Sequence, residues 1–416
     1  MSLFSPSKNK NNITHYSLIF DIGSSTIAGA LVVFPENLEP CILYTKRIPM
    51  AYQQELNFER FLNVMIATLS LVVDDIAKNG HELLKTVGSH PNDAQDVFCV
   101  FSSPWYISQT KTISLNQEKP LLISGRFIDD LVKRSAEQFK TSSRARESLQ
   151  IENNAELIEE RIIEIKLNGY ETTNPHGKLA NKVELALYTS MISKEVKERV
   201  TKVVSDTFHE KALEFHSFAL SMFSSIRDTY PSIREYLIFD FGGEITDVSI
   251  IRSGVLSQTV SFPFGSNVLI RKISHLLNTV PEEAISQLSL YLKKELHDTK
   301  IIKLEEALLN IEKEWVTMVG QLLKNLSVDL PLPQTIFHTT SNDLNQIFVT
   351  FMGKDSFCSS AMNPDKFTLI SLQSNNLNIF CTYTPHIAQD LFLGLEAAFI
   401  EKVKTSKSNR LMPTLA

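Results

Sequence analysis

Apolar residues run almost unbroken from Tyr16 to Ile22 and again from Ile27 to Phe34, with Gly-Ser-Ser-Thr between them. Short apolar runs bounded by turn residues are the signature of buried strands, and the pair reads as a hairpin. Ile42 to Ile48 supplies a third antiparallel strand. From Leu56 to Lys78 the spacing changes: Phe58, Phe61, Leu62, Met65, Leu69, Val72 and Ile76 fall on one helical face, and Gly80 is a suitable stop. The same order returns later in the chain. Tyr236 to Phe241 is apolar, Gly242-Gly243 turns the chain, Thr246 to Arg252 returns, and Val255 to Phe262 follows a Ser253-Gly254 turn. Pro281-Glu282-Glu283 then opens a helix, with proline in the first turn and acids at the positive end of the dipole. Strand triplets followed by helices near 16–80 and 236–300 predict an α/β chain of two similar halves, without short solenoid repeats.

Between the halves, Val97 to Phe101 reads as a short strand leading to Pro104-Trp105, and Ser124 as the cap of a helix from Arg126 to Phe139. Residues 141–155 are polar and are expected to be irregular. Ile162 to Leu167 and Val183 to Ile192 read as strands, separated by a turn-rich loop at Thr172–Gly177, and Ser193 opens a helix to about Glu210. Leu304 to Leu326 is a long amphipathic helix, and a last helix spans Gln389 to Val403.

Composition narrows the function classes. A net charge of -6 over 416 residues lacks the basic excess that binding to nucleic acid requires. No run reaches the ~18 apolar residues of a membrane span, and the polar opening residues lack a signal peptide's apolar stretch. Cys41, Cys99, Cys358 and Cys381 form no C-x-x-C pair, which points to buried thiols in a reducing cytoplasm. His338 and His386 stand alone, without metal-ligand spacing. Trp105 and Tyr106 suit either a partner surface or the packing of a small subdomain.

Two segments carry candidate chemistry: Asp21-Ile22-Gly23-Ser24-Ser25-Thr26 and Asp240-Phe241-Gly242-Gly243-Glu244-Ile245-Thr246-Asp247. Each sets an aspartate near a strand end, then glycine where backbone must approach a ligand or reach positive φ, then hydroxyl residues. Free N–H groups in such a turn form an anion nest, hydroxyls add donors, and a nearby carboxylate holds the waters around Mg²⁺. One copy is an ordinary turn; two copies, each opening one half of the chain, are much harder to ascribe to turn chemistry.

The pair resembles the two phosphate motifs of the actin-like ATPase superfamily, and the layout is similar to its FtsA/PilM type, the bacterial cell-division protein FtsA and the type IV pilus assembly protein PilM. The likeness extends to Val97–Ile107 with the helix from Arg126, similar to the small subdomain inserted by that type, and to Phe262–Asn267 after the second hairpin. The resemblance implies a two-lobed actin-like (ribonuclease H-like) ATPase fold with a small inserted subdomain in the first lobe. Its boundaries are expected at 13–92 and 177–234 for the first lobe, 93–176 for the insertion, 235–270 and 330–403 for the second lobe, and 271–329 for a helical subdomain, with flexible tails at 1–12 and 404–416.

The resemblance also implies ATP and Mg²⁺ as cofactors. Gly23, Ser24, Ser25 and Thr26, with Gly242, Gly243 and Thr246, would bind phosphate; Asp21 and Asp240 would hold Mg²⁺ through water; Glu244 and Asp247 lie beside them. The usual glycine turn against adenosine is replaced by a segment with Thr339, Thr340 and Asn342, and Glu244 adds an anion to the γ-phosphate pocket, so at most a weak ATPase is expected and no catalytic residue is assigned. The functions implied are an FtsA-like ATP-binding scaffold that organises a division complex and self-associates or, alternatively, a PilM-like module gripping a peptide of an inner-membrane pilus protein. A small-molecule kinase of the same fold is the third alternative. The last two turns, with Lys402, Lys404, Lys407 and Arg410, are too short of apolar residues to be a membrane anchor. A cytoplasmic protein is expected, reaching the membrane's inner face only through a partner.

Overall fold

A computed structural model describes residues 16–35, 38–80, 83, 96–142, 155–209, 213–297, 299–327, 330–339, 343–361, 366–372 and 381–405. The first half begins with three antiparallel strands, β1 (Tyr16–Ile22), β2 (Thr26–Val33) and β3 (Cys41–Pro49). Helix α1 (Phe58–Asp75) follows, capped by the Asn57 side chain and running into a π-turn that ends at Gly80. Strand β4 (Asp96–Phe101) lies parallel to β1. The chain then leaves to build β5 (Tyr106–Leu122), α2 (Gly125–Lys140), β6 (Ala155–Leu167), β7 (Tyr170–Glu171) and β8 (Leu179–Ser193), and returns through α3 (Lys194–Phe208), β9 (Leu213–Ser217) and α4 (Phe218–Thr229).

The second half repeats the plan. Strands β10 (Tyr236–Phe241), β11 (Thr246–Arg252) and β12 (Val255–Phe262) precede α5 (Ser266–Leu277), α6 (Pro281–Leu292) and α7 (Thr299–Leu326). Then come β13 (Thr335–Thr339), α8 (Gln346–Met352), α9 (Asp355–Ser360) and β14 (Thr368–Leu372). A short β15 (Thr382–Tyr383) and α10 (Leu391–Thr405) complete the fold. The two main sheets run β15-β3-β2-β1-β4-β9 and β12-β11-β10-β13-β14. Apart from β15 their order is the same, three antiparallel strands and then two parallel ones.

Helices α4 and α10 fill the space between the sheets, in a core that draws on Ile19 and Val100 from one sheet and Ile238 and Phe337 from the other. A helix apolar around its whole circumference has no solvent face to offer, and α10 (Leu-Phe-Leu-Gly-Leu-Glu-Ala-Ala-Phe-Ile) is of that kind. On the outer face of the first sheet, α1 and α3 pack against β-strand residues such as Phe20 and Cys99. On the second, Trp315 of α7 stacks with Phe348 and Phe357. Full burial of each such side chain contributes about 1.5–3 kcal/mol relative to exposure.

Three boundaries differ from expectation. The segment from Val97 belongs to the first main sheet, and β8, expected to resume that lobe, is the central strand of the small sheet, paired on both sides by β5 and β6. Alternating hydrophobicity marks a strand without saying which sheet it joins. Residues 382–383 pair with β3 of the first lobe rather than staying in the second. Lys404, assigned to a flexible tail, lies in α10, where it bonds Asp96 and Ser17. Thr405 ends the same helix; residues 406–416 and 1–12 lie outside the described residues.

Candidate functional site

Sheet register sets one row of side chains beside each turn. In the first lobe Asp21 pairs with Ala28, and Ala28 with Arg47, so the three stand side by side across β1, β2 and β3. In the second, Asp240 pairs with Asp247, and Asp247 with Ser261. The methyl group of Ala28 leaves Arg47 room to cross it. Its Nη2 donates to Asp21 Oδ2 at 2.8 Å, and Nη1 to Thr26 Oγ1 at 2.7 Å. Nε and Nη2 also donate to the Asp390 carboxylate at 2.6 and 2.9 Å. Asp390 caps α10, accepting from the amides of Phe392 and Leu393.

Burial pushes the Asp21 carboxyl up, and Arg47 opposes that shift. Glu396 of α10 is fully buried with no hydrogen-bond partner among the described residues; burial, and then Asp21, raise it well above the usual carboxylate range. Arg47 is ion-paired with both Asp21 and Asp390.

Across the cleft, Asp240 accepts from Thr339 Oγ1 at 2.8 Å and, among the described residues, is ion-paired with no cation. Burial, and then the neighbouring Asp247, push it up to about 7. Asp247 is also raised by burial, and accepts from Ser103 Oγ of the first lobe at 2.8 Å and from Ser261. Glu244 turns away from the turn to the Arg271 guanidinium and to Asn267. Thr246 Oγ1 donates to the Phe264 carbonyl at 2.6 Å, so that hydroxyl is engaged within its own lobe. Of the segment expected beside adenosine, Thr339 is buried and turned to Asp240; Thr340 and Asn342 lie outside the described residues. His338 is buried and pushed down to about 4 by that burial, as expected of a core histidine.

The two turns touch. Ser24 Oγ accepts the amide of Gly243 at 2.9 Å and that of Glu244 at 3.3 Å. A Cβ at Gly243 would lie 2.6 Å from Ser25 Cβ and 2.9 Å from the Ser24 carbonyl oxygen. Gly265 is packed against the carbonyl oxygens of Gly242 and Gly243 in the same way, at 2.5 and 2.4 Å from such a Cβ. These glycines do not adopt positive φ: among the described glycines only Gly169, Gly177 and Gly254 do. Their role is close approach, of backbone to backbone. Gly23 adds a further contact, since its carbonyl accepts the Trp105 indole N–H at 2.7 Å, and Trp105 stacks on Phe61 at 4.7 Å.

No family model matches the sequence, and no curated protein matches it. Among solved structures it is similar to the PilM–PilN type IV pilus biogenesis complex, at 12% identity and a TM-score of 0.59 over 92% of this chain and 98% of that one. It is also similar to a Bacteroides thetaiotaomicron protein described as having an actin-like ATPase fold and unknown function, at 11% identity and a TM-score of 0.39 over 88% and 94% of the two chains. This chain has the actin-like ATPase fold. A ROK family glucokinase from Streptomyces griseus, solved with glucose and AMPPNP, is another similar structure, at 10% identity and a TM-score of 0.40 over 92% of this chain and 97% of that one. At these identities the likeness carries architecture and no ligand.

Within this actin-like fold, the phosphate end of the cleft does not fit a magnesium triphosphate. The nest amides of Gly243 and Glu244 point at Ser24 Oγ, the Asp21 carboxylate faces a guanidinium, and side-chain and backbone atoms of the first turn fill the space above Gly243. An open space lies beside this contact. A groove of about 680 Å³ runs between the lobes, lined by Phe58, Phe61, Trp105 and Pro263 together with Glu59, Glu244 and Arg271. Phe58 and Leu56 stand exposed at its rim. Sequence reading singled out neither Arg47 nor Asp390 nor Glu396, and each becomes visible only when β3 and α10 are laid against β1.

Proposed function

We propose that this chain is a PilM-like binding module of the actin-like fold, which holds a short apolar peptide of a membrane-anchored assembly partner in the groove beside Trp105. The observation that carries the reading is the contrast between the two sides of the lobe junction. The phosphate side is closed by direct turn-to-turn bonds, while the other side is open and walled mostly by aromatic and aliphatic side chains, with Glu59, Glu244 and Arg271 among them. Such walls favour a segment whose apolar side chains leave water against ring faces, and aromatic anchors of this kind dominate binding energy. The similar PilM–PilN structure is a type IV pilus biogenesis complex of two proteins. No helix among the described residues is long and apolar enough to cross a membrane, so attachment to the membrane's inner face runs through the partner in this reading.

The alternative is an FtsA-like scaffold of a division complex. It draws on the paired turns and needs ATP and Mg²⁺ between them, where Ser24 and Arg47 already stand. Calorimetry separates the two readings. Cytoplasmic peptides of pilus inner-membrane proteins are expected to bind, with affinity lowered about tenfold or more by Phe58→Glu, since losing one anchor removes more than ~1.4 kcal/mol. Binding of a tubulin-like division protein instead, indifferent to Phe58→Glu, overturns the proposal.

A further inference from the structure

We infer that Arg47 takes the place of the cofactor's cation in this chain, so that the two lobes are clamped together with no nucleoside triphosphate or divalent ion. The inference is independent of the groove's occupant. It begins from charge. Asp21 and Asp390 face each other across the end of β3, with the unpartnered Glu396 buried nearby, and Arg47 is the cation bonded to both aspartates. Two carboxylates at this depth need a positive charge, and a guanidinium offers planar, permanently charged donors that reach both and a hydroxyl as well. All three donor nitrogens of Arg47 are engaged in this way.

Position makes that charge structural. Asp390 caps the helix that fills the space between the two sheets, so Arg47 ties the row beside the first turn to the shared core. Phe392, in the first turn of that helix, lies under the guanidinium at 5.4 Å. The lobes are then joined around the turns by three further bonds that need no ligand. Ser24 accepts from the second turn, Ser103 donates to Asp247, and Arg271 donates to the Gln53 carbonyl at 3.2 Å. In a nucleotide-gated clamp, phosphate oxygens would receive the turn amides. Here a serine hydroxyl does, and it is covalently part of the chain.

The test uses the whole chain. Titrated with MgATP to about millimolar concentration, the wild type is expected to show no saturable heat and no change in melting temperature, because a ligand that binds only the folded state must stabilise it. Saturable, magnesium-dependent binding of MgATP overturns the inference. Arg47→Gln is expected to melt lower than the wild type and to be partly restored by MgCl₂ alone, since it leaves Asp21, Asp390 and Thr26 without a cation. MgCl₂ is expected to leave the wild type unmoved. If Arg47→Gln melts like the wild type, or gains nothing from MgCl₂, Arg47 is not standing in for a cation. Should that variant fail to fold, Arg47→Lys keeps the charge with fewer donors, and is expected to melt lower than the wild type and to gain less from MgCl₂ than a charge-free site would; an unchanged melting temperature counts against the clamp. Peptide binding in the groove is measured separately, so its failure would not be mistaken for this one.

Discussion

The two hairpins share strand order, turn position and a leading aspartate raised by burial, yet the charged neighbours of that aspartate differ. In the first lobe the row reads acid, methyl, cation: Asp21, Ala28, Arg47. In the second it reads acid, acid, hydroxyl: Asp240, Asp247, Ser261. Asp21 is ion-paired and joined to a core helix, whereas Asp240 is buried against another carboxyl and held by one threonine. The same motif thus serves as an ion-paired anchor in one half and as a proton-holding site in the other. A motif match fixes where a carboxylate sits; its cross-strand neighbours decide what charge it carries.

Arg47→Ala breaks the first row outright and carries the largest expected effect, about 3–5 kcal/mol of stability by denaturant unfolding, because it strands two carboxylates in a mostly buried site. Gly243→Ala comes next. Its methyl group meets the other lobe at 2.6 Å, while one at Gly23 meets only the Thr26 carbonyl of its own turn, at 2.9 Å. Overpacking of this kind costs about 1–3 kcal/mol, and Gly243→Ala is expected to cost more than Gly23→Ala in the same melts. Ser24→Ala removes the acceptor for two amides and is expected to cost about 1–2 kcal/mol.

Near pH about 4 Asp240→Asn should have the smallest effect of these, and it sharpens the comparison as pH rises. The folded state holds the Asp240 proton up to about 7, against 3.8 for the unperturbed group. Between those values the unfolded state is the one that has released it, so its contribution to stability is full below the lower value and lost as pH rises through the upper. Relative to Asp240→Asn, which still accepts from Thr339, the wild type is therefore expected to lose stability as melts move from pH about 4 to about 8. A difference between the two proteins that is flat with pH would remove the proton-holding role.

Much of this was legible beforehand. Both strand triplets, the helix from Phe58, the serine cap at Ser124 and the proline-led α6 follow from local pattern, and the structure has them within a few residues. The row of Asp21 with Ala28 can be counted across the tight turn. Its extension to Arg47 cannot, because a bulge between Leu31 and Val32 shifts the register with β3 by one residue. The bond from Gly243 to Ser24 spans 219 residues of sequence, and nothing local encodes it. Glycine marks close approach in the sequence, but the letter does not say whether a ligand or the other turn's backbone is approached, and only packing tells them apart.

The indole of Trp105 has a further use. The chain contains two tryptophans, and the other, Trp315, is sealed in the second lobe's aromatic core. With Trp315 replaced by phenylalanine, ultraviolet emission from a single ring would report on one wall of the groove and on the carbonyl of the first turn at the same moment. The molecule carries its own optical gauge at the junction of its halves.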